Sequence, residues 1–283
     1  MTAFRSSMIE KPNKPRALIN WRMITFLLML LQSSVMVRPE DGLGDDKEGS
    51  SSRNYISMVP DKETAGLANN IRSPKKPRFL CLHGHGSSAA IFRTYFDKWP
   101  ESITSKTDLV FINGPFPIEY PTPGDQHFEW FALDKVNTEH DNFEEGISYI
   151  ENRMIELGPF DGVLGFSEGA VITGSLPGMQ EQGVCLKKVG KIEHVVIISG
   201  AKLGGKLFPL PKLAEAAYTS PIDIPSLHIF GEYDIARPNA PELVEAYVDP
   251  LVIYHHGGHE VPKLDEKGLE IMFEFLKRIN ATL

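Results

Sequence analysis

The sequence predicts an α/β fold, in which a mostly parallel sheet of about six strands is flanked by helices. Continuous apolar runs of strand length recur along the chain, and segments with apolar residues at helical spacing lie between them. Such alternation requires crossover connections, which produce a parallel sheet with helices on both faces. The residues of chemical interest all follow apolar runs, where an open parallel sheet carries its active site.

The predicted strands are short and lack alternation, as expected of strands that are covered on both faces. They are Phe79–Leu82, Leu109–Ile112, Val163–Leu164, His194–Ile198, Pro225–Gly231 and Leu251–Tyr254.

Helix signals occupy the intervals between these runs. Ser88 is a candidate N-cap, and Asn142 with Glu145 resembles a capping box for a helix that ends at Gly158. A helix after Ser167 meets Pro177, so we expect it to be short or kinked. The last helix, about Asp265 to Ile279, should direct four apolar side chains to the core: Leu269, Met272, Phe273 and Leu276.

Residues 1–73 differ from the remainder and are predicted to form a leader and linker, largely disordered, ahead of a folded domain at 74–283. A basic segment precedes the apolar run Met23–Leu31, which is shorter than the roughly 20 residues of a membrane span. This run suits a secretory signal or signal anchor, and the alternatives are a transit peptide or a disordered extension. The stretch from Pro39 to Ser73 is polar and reads as a linker.

Composition narrows the class of protein. The chain has 283 residues, of which 42% are hydrophobic and 23% charged, as in an ordinary globular protein. A formal net charge of −8 argues against a nucleic-acid partner. The two cysteines, Cys81 and Cys185, form no readable disulfide framework, which favours a reducing compartment.

The stretch Phe160–Gly169 contains the motif Gly165-Phe166-Ser167-Glu168-Gly169 between a predicted strand and a predicted helix. This G-x-S-x-G in a strand–turn–helix context is typical of a nucleophile elbow. The tight turn exposes the serine hydroxyl above the strand end, and side chains at either glycine would collide with the adjoining elements.

Ser167, Asp234 and His259 each follow a predicted strand, in the chain order of the α/β-hydrolases. A serine hydroxyl is a weak nucleophile and needs a base near neutral pH, which His259 would supply. Asp234 would hold the imidazole in the required tautomer. The backbone N–H groups of Glu168 and His85 are the predicted oxyanion donors.

Other histidines allow different assignments. His255 and His256 are rival bases, but we expect them to belong to the strand end, whereas two glycines release His259 into a loop. A metal site formed by His83, His85 and the three later histidines is a further alternative, yet it leaves the elbow motif unexplained. We therefore predict no metal, and we expect His83 to order the loop that carries His85.

From Phe116 to about Asp141 the sequence has no clean period. Several aromatic side chains lie among its prolines and glycines, and Phe116, Trp130 and Phe131 are candidate substrate contacts. The alternative is that these rings only cap the core. If they receive an acyl group, medium chains should be preferred over acetyl.

Several motifs together resemble the FSH family of serine hydrolases, an α/β-hydrolase group related to the acyl-protein thioesterase/carboxylesterase branch. They are Leu82-His83-Gly84-His85-Gly86, Gly114-Pro115-Phe116-Pro117, Trp130-Phe131, Gly165-Phe166-Ser167-Glu168-Gly169-Ala170, Gly231-Glu232-Tyr233-Asp234 and Gly258-His259.

The resemblance implies a cofactor-free esterase or thioesterase in the cytoplasm, with no large cap domain and an acyl-enzyme intermediate. Two features depart from the family pattern: Glu168 stands where the family often has glutamine, and the leader has no counterpart. The expected partner is a small-molecule ester or thioester. We expect a monomer or small homo-oligomer. Membrane contact is expected only if the leader is a retained anchor. The alternative to a cytoplasmic location is the secretory pathway or an organelle, reached through the leader. The alternative function is a catalytically silent hydrolase fold that binds a ligand or partner.

Overall fold

A computed structural model describes residues 76–119, 126–134 and 140–281 of the chain. The predicted leader and linker, including the apolar run Met23–Leu31, lie outside the described residues, as does Tyr120 in the irregular stretch. Among the helices that are described, none is both long and apolar enough to span a bilayer.

A six-stranded, wholly parallel sheet forms the centre of the domain, as predicted. In chain order the strands are β1 (Arg78–Leu82), β2 (Asp108–Ile112), β3 (Phe116–Ile118), β4 (His127–Glu129), β5 (Ala132–Leu133), β6 (His140–Asp141), β7 (Gly162–Phe166), β8 (His194–Ile198), β9 (Ser226–Gly231) and β10 (Leu251–His255).

The order across the sheet is β2-β1-β7-β8-β9-β10, so the strand before the elbow is flanked by β1 and β8. Every residue of β7, β8 and β9 is buried, which explains why these strands read as continuous apolar runs. Within the irregular stretch, β3 pairs with β4 and β5 with β6, both antiparallel.

Helices cover both faces of the sheet. They are α1 (Ala89–Thr94), α2 (Glu101–Thr104), α3 (Phe143–Leu157), α4 (Glu168–Glu181), α5 (Ala240–Val244) and α6 (Glu266–Asn280). The predicted N-cap at Ser88 is confirmed, because its hydroxyl accepts the Ile91 N–H at 3.3 Å. Asp265 caps α6 in the same way, accepting the Gly268 N–H at 2.7 Å.

Two helix predictions, the capping box at Asn142 and a short helix at Pro177, were wrong, and a kink at Pro177 stays a prediction. Asn142 has a left-handed backbone (φ 60°, ψ 18°) and its side chain makes no capping hydrogen bond, so the capping box with Glu145 does not form. Pro177 neither ends nor shortens α4, which continues for 14 residues through it. Residues on all sides of that helix are buried, so tertiary packing outweighs the local cost of the proline, about 3 kcal/mol.

Two hydrophobic clusters form the core, one on each face of the sheet. The side chains of β1 alternate between them: Leu80 and Leu82 join the cluster with α3 and α4, and Phe79 and Cys81 join the cluster with α1 and α6. On α6 the predicted inward position of Phe273 was wrong. Its side chain is exposed, and the core face is instead completed by Phe275 and Ile279.

Candidate active site

The turn between β7 and α4 holds Ser167 in a strained backbone conformation, with φ 54° and ψ −116°. A Cβ atom at Gly165 would lie 2.3 Å from the Gly169 carbonyl oxygen, and one at Gly169 would lie 2.2 Å from the Leu82 carbonyl oxygen. Both glycines of the motif are therefore required by close packing, as the sequence predicts. The Ser167 N–H donates to the Ile198 carbonyl at 3.0 Å, which anchors the turn to β8.

The structure brings together Ser167, His259 and Asp234, which follow three different strands. His259 Nε2 lies 2.8 Å from Ser167 Oγ, and His259 Nδ1 lies 2.8 Å from Asp234 Oδ1. An ionised carboxylate only accepts hydrogen bonds, so Nδ1 carries the imidazole proton and Nε2 is left to accept the serine O–H. This chain of hydrogen bonds can move a proton from the hydroxyl to the imidazole.

Asp234 lies in a buried position after β9. Burial alone would raise the pKa of its carboxyl, but the hydrogen bond and charge of His259, the Ser199 hydroxyl and the Ala236 N–H together bring the pKa below its ordinary value. The carboxyl is thus ionised at neutral pH and holds the imidazole in orientation.

The rival histidines have other partners. His255 Nδ1 accepts the Gly257 N–H at 3.0 Å, and His256 Nδ1 lies 3.1 Å from the Glu232 carboxylate. The side chain of His256 is 92% exposed, whereas that of His259 is 7% exposed. Of the three candidates, the structure places His259 against the serine.

The loop after β1 lies directly beside the nucleophile, because a Cβ atom at Gly84 would lie 3.1 Å from the Cβ atom of Ser167. His85 is the next residue in this loop. On the other side, Glu168 is the first residue of α4, where backbone N–H groups have no intrahelical acceptor. Both predicted oxyanion donors therefore belong to backbone segments that adjoin the serine.

His83 orders this loop, as expected from the sequence. Its Nδ1 lies 2.7 Å from the Gly84 carbonyl oxygen, and its Nε2 accepts the Gly114 N–H at 2.9 Å. Burial lowers the pKa of this imidazole to about 4, so it is neutral. With both nitrogens engaged, His83 is not available to a metal ion, and no group of three or more candidate metal ligands occurs among the residues that the structure describes.

The aromatic side chains of the irregular stretch do not share one role. Trp130 has no exposed surface and Phe131 is 2% exposed, so both belong to the core. Trp130 Nε1 donates to the His83 carbonyl at 2.8 Å, which ties the ring to the base of the loop. Their burial favours the alternative interpretation, in which these two rings cap the core, over the prediction that they contact substrate. Phe116, in β3, is half-buried and stays a candidate for substrate contact.

A charged cluster adjoins the serine as well. His85 Nδ1 lies 3.4 Å from Glu129 Oε2 and 3.7 Å from Glu168 Oε1, while Glu168 Oε2 accepts the Trp130 N–H at 3.2 Å. Glu129 was missed from the sequence, because it lies in the stretch without clean periodicity, where nothing predicts which side chains turn inward.

Comparison with known proteins identifies the family of this chain. Residues 72–270 match the family described as "Serine hydrolase (FSH1)". "Esterase OVCA2" of Xenopus tropicalis is 27% identical over 237 residues, which cover 76% of this chain and 97% of that protein. "Esterase C25G4.2" of Caenorhabditis elegans is 30% identical over 209 residues, covering 69% and 91% of the two chains.

The solved structure of Zea mays acyl-protein thioesterase 2 has a similar fold. It superposes with a TM-score of 0.51 at 17% identity, covering 74% of this chain and 96% of its own. The expected α/β-hydrolase fold is thereby confirmed. With the family match extending over most of the sequence, the chain belongs to the FSH1 family of serine hydrolases.

Proposed function

We propose that this protein is a carboxylesterase or thioesterase that forms an acyl-enzyme on Ser167. The observation that carries the proposal is the continuous relay from Ser167 Oγ through His259 to Asp234, with 2.8 Å at both hydrogen bonds. The relay starts at a strained turn, and it ends at a buried carboxylate whose pKa is lowered.

Acylation begins when Ser167 Oγ attacks the carbonyl carbon of the substrate and its proton passes to His259 Nε2. The imidazolium that forms is stabilised by the ionised Asp234. The carbonyl oxygen becomes an oxyanion, for which the N–H groups of Glu168 and His85 are the proposed donors. When the tetrahedral intermediate collapses, His259 returns the proton to the leaving alcohol or thiol.

Deacylation repeats these steps with water as the nucleophile. His259 takes a proton from water, the hydroxide adds to the acyl carbon, and Ser167 leaves with the proton that the imidazole returns. The products are a carboxylic acid and free enzyme, so no cofactor is needed to balance the reaction.

The proposed substrates are small-molecule esters or thioesters with an apolar acyl group. Similar chains are named esterases, and the similar fold is that of a thioesterase. Phe116, the remaining candidate for substrate contact, is half-buried on the irregular stretch. Each methylene buried against such side chains contributes about 0.8 kcal/mol, so kcat/KM should rise from acetyl to medium chains.

A panel of p-nitrophenyl esters and acyl thioesters of graded chain length tests this function. Ser167→Ala should lower kcat at least about 10³-fold for every member. Ser148→Ala is the matched control, since that exposed serine only donates to the Glu144 carbonyl within its own helix. Full turnover by Ser167→Ala would contradict the proposal, and loss of turnover on adding a chelator would favour the metal alternative.

A further inference from the structure

The His85 imidazole lies between two carboxylates next to the nucleophile. Its Nδ1 is 3.4 Å from Glu129 Oε2 and 3.7 Å from Glu168 Oε1. The three side chains are 22%, 17% and 5% exposed, respectively, so water screens their charges only weakly. We call these three residues the charge bridge.

Electrostatics favours a place for the imidazole between the two acids. Two carboxylates that face one nitrogen repel each other unless a cation lies between them. The His85 imidazole occupies that place, with Nδ1 within ion-pair distance of an oxygen of each acid. If the imidazole were lost, the two carboxylates would lose the group that lies between them and would move apart.

The charge bridge joins three backbone segments that surround Ser167. His85 belongs to the loop after β1, Glu129 ends β4, and Glu168 begins α4. The loop and β4 are already joined by backbone hydrogen bonds of 3.0 Å (Gly86 N–H to Phe128 O) and 2.8 Å (Phe128 N–H to Ser87 O). The imidazole extends this joined unit to the first residue of the helix after the nucleophile.

We propose that the charge bridge sets the distance between the backbone N–H groups of His85 and Glu168, the two donors proposed for the oxyanion, and so acts as a positioning device. The inference rests on the proposed function. The side chains of His85, Glu129 and Glu168 take no part in proton transfer in this account. They hold the donors where charge develops in the transition state, and such placement affects kcat more than substrate affinity.

A glutamate at 168 suits this role better than a glutamine would. One carboxylate oxygen accepts the Trp130 N–H at 3.2 Å, and the other lies 3.7 Å from His85 Nδ1, within ion-pair distance. Glutamine has a single acceptor oxygen. With that oxygen on Trp130, its NH₂ group would face the imidazole, so Glu168→Gln keeps the backbone contact and removes the charge.

The test compares ground-state and transition-state affinity in His85→Ala and Glu168→Gln. Ser167 Oγ adds to the carbonyl carbon of a trifluoromethyl ketone with a medium alkyl chain. The ketone oxygen then becomes an oxyanion that faces the two proposed N–H donors. We expect its inhibition constant to rise about tenfold and kcat to fall about tenfold, with KM changed less than about twofold. Glu181→Gln, at the exposed end of the same helix, is the control and should change none of these values.

The double variant should be no worse than the more damaged single variant, because both substitutions break one bridge. Unchanged inhibition constants, or changes in KM as large as those in kcat, would overturn the proposal. Complete labelling of each variant by a fluorophosphonate shows that the nucleophile is intact, whereas failure of the unmodified enzyme to label would refute the proposed function itself. If Glu168→Gln does not fold, Glu129→Gln breaks the bridge from the other acid, with the same expected and contradicting results.

Discussion

At the scale of single residues, the site depends on where strain and burial put a few side chains. The φ of 54° at Ser167 is a strained backbone conformation. The following helix and the hydrogen bond from the Ser167 N–H to the Ile198 carbonyl hold the residue in this conformation. His259 is nearly buried between the serine and Asp234, and its ring lies 5.1 Å from that of Phe166. The imidazole is therefore held by packing as well as by hydrogen bonds.

The choice of base can be tested among neighbouring histidines. His259→Ala should lower kcat about 10³-fold or more, because it removes the group that accepts the serine proton. His256→Ala should change kcat less than about twofold, since that side chain is 92% exposed and pairs with Glu232. Steady-state kinetics on one ester measures both. Equal losses in the two variants, with unchanged circular dichroism, would show that the base is misassigned.

At the scale of elements, the site depends on how closely α4 approaches the sheet. Gly169 faces the carbonyl oxygens of Leu82 and His83 at distances, measured from an added Cβ, of 2.2 and 2.6 Å. Those carbonyls lie at the end of β1, where the loop that carries His85 begins. A larger residue would separate the helix from the strand and move the nucleophile away from that loop.

Gly169→Ala should therefore destabilise the fold by about 1–3 kcal/mol and lower kcat together, because backbone cannot yield as a side-chain end can. Gly190→Ala is the control, since an added Cβ meets nothing within 4 Å. Urea unfolding and ester turnover measure the two effects. A stable, fully active Gly169→Ala would show that the close approach is not required.

The six strands of the parallel sheet could be predicted within one or two residues, because a strand that is buried on both faces leaves a short, continuous apolar run in the sequence. Pro177 and Asn142 could not be interpreted correctly, since local rules favour a helix break and a cap there, and tertiary packing decides otherwise. The predicted burial of Phe273 was wrong for a related reason. Helical spacing shows which residues share a face, but a small rotation of the helix decides which of them is buried.

The candidate site also has a part that could be predicted from the sequence and a part that could not. Ser167, Asp234 and His259 could be found because each follows a strand, and the topology of a parallel sheet brings strand ends together. Sequence reasoning could not predict the burial of Trp130 or the contact of Glu129 with His85. Both arise from short antiparallel pairings within a stretch whose apolar residues show no regular spacing.

At the scale of the whole molecule, buried histidines should make the fold sensitive to acid. His228, in β9, is fully buried in contact with the rings of Phe230 and Tyr247, and neither of its ring nitrogens has a hydrogen-bond partner among the described residues. Burial lowers the pKa of this imidazole from 6.5 to about 3. The unfolded chain therefore binds a proton that the folded chain rejects, and stability is lost as pH falls from about 6.5 toward 3.

Replacing the ring should remove this part of the acid sensitivity. For His228, the loss is about 1.4 kcal/mol for each pH unit below the unfolded pKa. His228→Leu should thus show a smaller fall in melting temperature between pH 7.5 and pH 5 than the unmodified protein, whatever its stability at neutral pH. His256→Gln, at an exposed position, serves as the control. An identical fall in all three proteins would contradict the assignment.

The identity of the nucleophile is the central claim, and covalent labelling tests it most directly. The protein would be treated with a fluorophosphonate, digested, and analysed by peptide mass spectrometry. The account predicts one adduct, on Ser167, that disappears in Ser167→Ala and forms far more slowly in His259→Ala. An adduct on another residue, or labelling that persists in Ser167→Ala, would contradict it.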